Sequence, residues 1–277
     1  MKKIFTLLSL VLATLSFSSC ELENPINPDQ IFMTDIYGKW EVSDNQGYSS
    51  LEFTTEGYYF MVKNATDINS APSVVYGKYT KTGDYQITLA GFGTVDITSY
   101  GDDYLRYTLT KEGDEDGISQ STTIAIDSDE TISDNTSYIS TIWSLVDYNF
   151  FYSYYSADYG GMVSDLTSRD TDVKYLYFST GDTFIVINKD QTAYAYEWKF
   201  NSDEDQIQMD GDQKWSLEGN TTFGIDLLMD TELKFSHYAT FTFTPIDEDG
   251  VPGDEVTMQN TQLNMEFIMS KNITFDE

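Results

Sequence analysis

A chain of 277 residues with 40% hydrophobic and 15% aromatic content, including 21 tyrosines, is too apolar to stay disordered and long enough for two domains or one large barrel. Its formal charge of −31 repels phosphate backbones and anionic lipid surfaces. Nucleic acid is thereby excluded as a natural partner, while cations, neutral glycans and small apolar molecules stay open.

The N-terminus begins with the basic Met1-Lys2-Lys3, followed by an apolar run from Ile4 to Phe17 and the small residues Ser18 and Ser19 before Cys20. A membrane-spanning helix needs roughly 20 apolar residues, more than this run supplies. The expectation is a signal peptide over residues 1–20. Phe17-Ser18-Ser19-Cys20 resembles a bacterial lipobox, which implies cleavage before Cys20 and a lipid on its thiol, with the alkyl chains holding the folded part to a membrane. The other readings are a cleaved signal without lipid and a buried free thiol. Cys20 is the only cysteine, so no intrachain disulfide can form.

Residues 21–34 carry Pro25 and Pro28 among polar side chains and read as an extended tether. Glu21 and Glu23 directly behind the cysteine resemble the surface-export signal of Bacteroidetes lipoproteins, and Glu21 is not the aspartate that retains enteric lipoproteins in the inner membrane. The resemblance implies the outer membrane and, within it, exposure at the cell surface.

Residues 35–127 break into short alternating runs separated by turn residues, the pattern of an antiparallel sheet. Eight strands are expected: Trp40–Val42, Leu51–Phe53, Tyr58–Val62, Val74–Lys81, Gln86–Ala90, Thr94–Tyr100, Tyr104–Lys111 and Ile118–Ile126. Gly83, in Thr82-Gly83-Asp84, is expected to supply a positive φ for a tight turn. Such a meander closes most simply into a barrel, because closure leaves no exposed edge. The acidic, aperiodic residues 128–137 read as a linker.

Residues 138–277 repeat the pattern with longer parts. Aligned on Trp40 and Trp143, Leu51-Glu52-Phe53 meets Leu176-Tyr177-Phe178, Tyr79 meets Trp198, Ile87 meets Ile207, and the closing pairs Ile97 with Leu105 and Ile225 with Leu233 share one spacing. The strands expected are Ile142–Tyr148, Val173–Phe178, Thr183–Asn188, Thr192–Phe200, Gln206–Met209, Phe223–Leu228, Leu233–Pro245 and Val256–Met269. The fold class is all-β: two tandem antiparallel meander barrels. Between Trp143 and Leu176 lies an insertion absent from the first repeat, whose Tyr-rich part spans 148–172 and has room for a short helix between Tyr152 and Ser168. It reads as a long aromatic loop beside the barrel mouth. Tyrosine combines an apolar ring with a polar tip, so Tyr148, Tyr152, Tyr154 and Tyr155, with Trp198 and Trp215, are the candidate ligand-binding residues. A lid that only covers the barrel or packs the two units together is the competing reading.

The remaining chemistry is sparse. His237 is the only histidine and falls within a predicted strand, so histidine-rich zinc sites and Cys-His nucleophile pairs are absent, and no nucleophile elbow accompanies it. Asp114-Glu115-Asp116, Asp203-Glu204-Asp205 and Asp247-Glu248-Asp249 fall in predicted turns without the spacing of a calcium-binding hand. No glycine loop is built to cradle phosphate. No catalytic residue, metal ligand or cofactor is assigned.

Gly38-Lys39-Trp40 at the first strand, the Leu51-Glu52-Phe53 strand ending in a turn, Gly77-Lys78-Tyr79, and the closing isoleucine–leucine pairs are together similar to the lipocalin-like domains of Bacteroidetes lipoproteins. That resemblance implies a meander barrel whose closed end is plugged by Trp40. Thr141-Ile142-Trp143 lacks the glycine of the motif. A fold is implied, and not a ligand. Two functions follow as expectations: a non-catalytic, membrane-anchored lipoprotein that binds a small apolar or glycan ligand, or a structural subunit of an outer-membrane surface complex with filled barrels.

Overall fold

The computed structural model describes residues 33–43, 47–66, 70–114, 117–124, 132–156, 161–168, 172–210, 222–243 and 256–269. Within these, the side chains of residues 119–124, 148–156, 161–168, 210, 237–243 and 256–269 lie outside the description, and for them only the backbone and its pairing are used. The expected signal peptide and Cys20 also lie outside the described residues, as do Trp215 and all but the end of the tether.

Eight strands form the first unit: β1 (Gly38–Val42), β2 (Tyr48–Phe53), β3 (Tyr58–Lys63), β4 (Val74–Lys81), β5 (Gln86–Leu89), β6 (Gly93–Gly101), β7 (Tyr104–Lys111) and β8 (Ile118–Ile124). They pair in sequence order, and β8 returns to β1 with Trp40 opposite Ile124, closing a barrel. The turn at Gly83 differs from expectation. Gly83 has no positive φ, because the Thr82 and Gly83 amides both donate to the Gln86 carbonyl and close the turn without it. Gly77 is the glycine that packing requires. A Cβ there would stand 2.8 Å from the Ala90 carbonyl oxygen and 3.0 Å from the ring of Tyr59, whose hydroxyl donates to that same carbonyl.

The second unit contains helix α1 (Asp134–Ile139) and the strands β9 (Ile142–Ser156), β10 (Gly161–Ser168), β11 (Val173–Phe178), β12 (Thr183–Asn188), β13 (Ala193–Phe200), β14 (Gln206–Asp210), β15 (Thr222–Leu228), β16 (Glu232–Phe243) and β17 (Val256–Met269). A nine-stranded sheet runs β10-β9-β11-β12-β13-β14-β15-β16-β17, and β17 pairs back onto β9. The end of the expected linker is therefore helical. Ser133 caps α1 by accepting from the Thr136 amide, and one turn and a half is too short to show a helical stripe in sequence.

The repeat extends to individual hydrogen bonds. Before β1, a 3₁₀ turn (Met33–Asp35) leads to the buried Ile36, whose carbonyl accepts from the Trp40 indole at 2.8 Å. Before β9, α1 ends at the buried Ile139, whose carbonyl accepts from the Trp143 indole at 2.9 Å. Both tryptophans pair with the aligned leucine, Trp40 with Leu51 and Trp143 with Leu176. The Tyr79 hydroxyl donates to the Thr54 carbonyl at 2.7 Å, and in the second unit the Trp198 indole donates to the Ser179 carbonyl at 3.0 Å. Each donor ring stands edge-on to the phenylalanine before its acceptor, Phe53 in one case and Phe178 in the other. A different side chain thus performs one job in the two barrels: Tyr79 ties β4 to the β2–β3 hairpin, and Trp198 ties β13 to the β11–β12 hairpin, at the capped end.

Each interior is a separate core. In the first barrel Trp40, Phe53, Tyr59 and Tyr107 are almost wholly buried beside Leu51, Met61, Ile87 and Val95, and Tyr48 meets Phe92 edge-on at the opposite end. In the second, Trp143, Phe178, Phe184, Trp198, Phe223 and Phe235 fill the matching space. A third apolar cluster lies outside both barrels, between the outer faces of β2–β4 and β11–β13, and joins them.

Candidate functional site

The Tyr-rich insertion is not a loop. Residues 149–156 of β9 pair in unbroken register with β10, Asn149 opposite Ser168 through Ser156 opposite Gly161, so the described residues between Tyr152 and Ser168 are strand where a helix had room. Tyrosine and phenylalanine favour extended backbone, and this segment has a partner on each side over part of its length. On the other side, Trp143 to Phe151 pair with β17, and the upper half of β17 pairs with β16 as far as Phe243 opposite Val256. Strands β10, β9, β17 and β16 therefore continue past the barrel as a four-stranded antiparallel sheet. At about 3.3 Å per residue, the eight residues of β9 in this sheet add up to roughly 25 Å along the strand.

Register decides which candidates share a face. Trp143 and Leu145 belong to the interior, and a bulge between Leu145 and Asp147 leaves Val146 exposed. Beyond it Tyr148 pairs with Met265, itself opposite the buried Phe235, so Tyr148 returns to the interior face. Alternation then places Phe150, Tyr152 and Tyr154 on that same face, with Leu263 opposite Phe150 and His237 opposite Leu263 in register. Tyr155, opposite Met162, falls on the other face with Phe151 and Leu166. Three of the four candidate tyrosines are brought together, and the fourth is separated from them by the sheet.

Trp198 belongs to neither face. It lies 4% exposed within the second core near the α1 end, its indole held by the Ser179 carbonyl and its ring edge-on to Phe178 and Phe200. The hairpin from β11 to β12 lies at the end where β9 starts, whereas Tyr152 and Tyr154 lie at the opposite end of β9. Trp198 thus packs in the second core, toward the other end of the unit from Tyr152 and Tyr154 on β9. Among the described residues no group of three His, Cys, Asp or Glu side chains converges as a metal site. The Asp203–Asp205 cluster forms the β13–β14 turn, with Glu204 at φ 54°.

The polar group that sequence reading missed is Glu52. It sits in the cluster between the barrels, 4% exposed, and its Oε1 accepts from the Tyr177 hydroxyl at 2.5 Å and from the Ser179 hydroxyl at 2.8 Å. Burial pushes the Glu52 carboxyl above the usual carboxylate range, a rise partly opposed by those two donors and by the Lys39 charge. Tyr177 is pushed well above its ordinary value, first by burial and then by the neighbouring carboxyl, so it remains an O–H donor. Lys39 stands opposite Glu52 across β1 and β2, yet its ammonium bonds to the Gly181 carbonyl at 2.9 Å and lies 3.7 Å from Glu41. A continuous apolar run was the available signal: Tyr58-Tyr59-Phe60-Met61-Val62 and Phe184-Ile185-Val186-Ile187 do not alternate, as expected of strands covered on both faces.

The junction is pseudo-symmetric. Glu52 and Tyr177 occupy the same position of the two repeats, one residue after the leucine that faces tryptophan, and they bond to each other. Tyr76 donates to the Gln191 carbonyl at 3.2 Å, while Ala195, the counterpart of Tyr76, donates its amide to the carbonyl of Pro72, the counterpart of Gln191, at 2.9 Å. A β-bridge links Ser73 to Tyr194 beside it. The two barrels meet as subunits of a two-fold dimer meet, through one patch used twice. Lys39 to Gly181 joins the capped ends and Ser73 to Tyr194 the open ends, so the barrels lie side by side and open the same way. No protein-family model matches this sequence, and no characterised protein is significantly similar to it.

Proposed function

We propose that this chain is a non-catalytic binding lipoprotein of the outer membrane, anchored through a lipid on Cys20, whose ligand contacts the Tyr148, Phe150, Tyr152 and Tyr154 face of the sheet above the second barrel. The observation that carries this reading is the backbone register, which places those four residues at alternate positions on one face of β9. Aromatic rows of this kind stack on sugar rings or cover small apolar molecules. The described chain enters the first barrel at its capped end, where Met33 precedes Ile36. A small molecule or neutral glycan fits the acidic surface; nucleic acid does not.

The second reading, a structural subunit of a surface complex, draws support from the first barrel, whose interior is occupied by bulky side chains from Trp40 to Phe92. A barrel of about eight strands has room for side chains or one small ligand. The experiment that separates the readings replaces Tyr152 and Tyr154 together by alanine and, as a control on the other face, Tyr155 alone. The expected result in a glycan and lipid binding screen is loss of binding only in the double variant, with an unfolding midpoint close to wild type. No ligand for the wild type, combined with a large loss of stability in the double variant, supports the structural reading instead.

The anchor is tested separately. Cys20→Ala is expected to yield a protein that no longer partitions with membranes and takes up no fatty-acid label; unchanged labelling removes the lipoprotein assignment.

A further inference from the structure

We infer that the junction between the barrels is a proton-linked latch: Glu52 holds the barrels together in its neutral form, and its ionisation loosens them. The geometry carries this. Glu52 is 4% exposed, pairs across β2 and β3 with Phe60 and bonds to Tyr177, and both of these belong to the apolar cluster that joins the two units. Both of its hydrogen bonds cross that plane, to Tyr177 and Ser179 of β11 and the turn that follows. A carboxyl placed on one barrel and bonded only to the other is a group whose charge state changes the cost of docking directly.

The charged and titratable groups around Glu52 are few. Among the described residues Lys39 on β1 supplies the positive charge, and it is engaged by the Gly181 carbonyl and lies near Glu41. Glu56, in the turn after β2, opposes ionisation. From the second barrel come Tyr177, kept protonated, and Ser179; the neighbouring ring of Phe60 stacks on Tyr177 at 4.3 Å and carries no charge. Burial leads these effects and raises the carboxyl above its ordinary 4.5. A group with a raised folded-state value binds its proton more tightly in the docked form. Its stabilisation is fully present below 4.5 and is lost as pH rises through the raised value. The latch is closed in acid and weakens towards alkali.

The test uses the full chain and Glu52→Gln, which keeps an oxygen to accept from Tyr177 and Ser179 and cannot ionise. Thermal midpoints of both proteins are measured from pH 4.5 to about pH 8. The many exposed acids affect both proteins alike, so the difference isolates Glu52. The expected result is a small difference at the acid end that grows to several degrees in favour of the glutamine variant at the alkaline end. Small-angle scattering of the wild type is expected to show an increase in radius of gyration over the same range, absent in the variant. If Glu52→Gln fails to fold, Tyr177→Phe serves: losing a donor to the carboxylate moves the wild-type transition to higher pH. A midpoint difference that stays constant with pH, or a Tyr177→Phe transition that does not move, overturns the latch.

Discussion

Replacing Trp40 or Trp143 by alanine is expected to cost about 3 to 5 kcal/mol at either site, a large part of the total stability of a domain of this size. Both rings are almost fully buried among aromatic and aliphatic neighbours, so truncation leaves a large cavity that the closed sheet cannot collapse to fill. Each indole also satisfies the carbonyl of a buried isoleucine, Ile36 or Ile139, and that oxygen loses its partner. Phenylalanine keeps most of the ring and leaves the carbonyl unpaired, for a smaller loss of about 1 to 3 kcal/mol. Urea denaturation followed by tryptophan fluorescence and circular dichroism measures both. A loss below about 1 kcal/mol in either alanine variant contradicts the plug.

Phe60→Ala is expected to divide one cooperative unfolding transition into two. Phe60 belongs to neither interior: it stacks on Tyr177 of the other barrel at 4.3 Å and 12° between planes, and on Tyr76 at 6.4 Å. Truncating a buried aromatic costs about 3 to 5 kcal/mol, here withdrawn from the contact that couples the barrels, while each barrel keeps its own core. Calorimetry is the measurement. One transition in the wild type and two in the variant is the expected outcome; two transitions in the wild type show that the junction never made the barrels one unit. The prediction differs from what the sequence suggests. Residues 128–137 look like a loose connection between independent domains, but the apolar cluster, the Glu52 bonds and the Ser73–Tyr194 bridge bind the units across a wide surface.

The strands were legible because each obeys a local rule. Val74–Lys81, Tyr104–Lys111, Val173–Phe178 and Val256–Met269 follow from short patterned runs between turn residues, Thr183–Asn188 from a continuous apolar run bounded by turns, and their bounds in the structure are the same. The repeat was legible for a related reason: Trp40 and Trp143 recur before Leu51 and Leu176 because each pairs with its leucine and donates its indole to a buried isoleucine carbonyl in the same way. Even the match of Tyr79 with Trp198 reflects one shared hydrogen bond.

The aromatic insertion was misread although Gly160-Gly161 marks a turn at the start of β10, because a strand at a sheet edge is fixed by its partner more than by its own pattern. Register, which separates Tyr155 from Tyr152 and Tyr154, likewise exists only once β9, β10 and β17 have paired. Glu52 gives the plainest division between the two sources of information. By alternation it should face outward and be solvated, and outward it does face, on the outside of its own barrel. Only the docking of β11 over that outer face turns a surface glutamate into a buried one, because desolvation is a property of what covers a side chain and not of the strand that carries it. The chain's local physics thus determined two barrels and their plugs, while the packing of one barrel on the other decided which polar group would be buried.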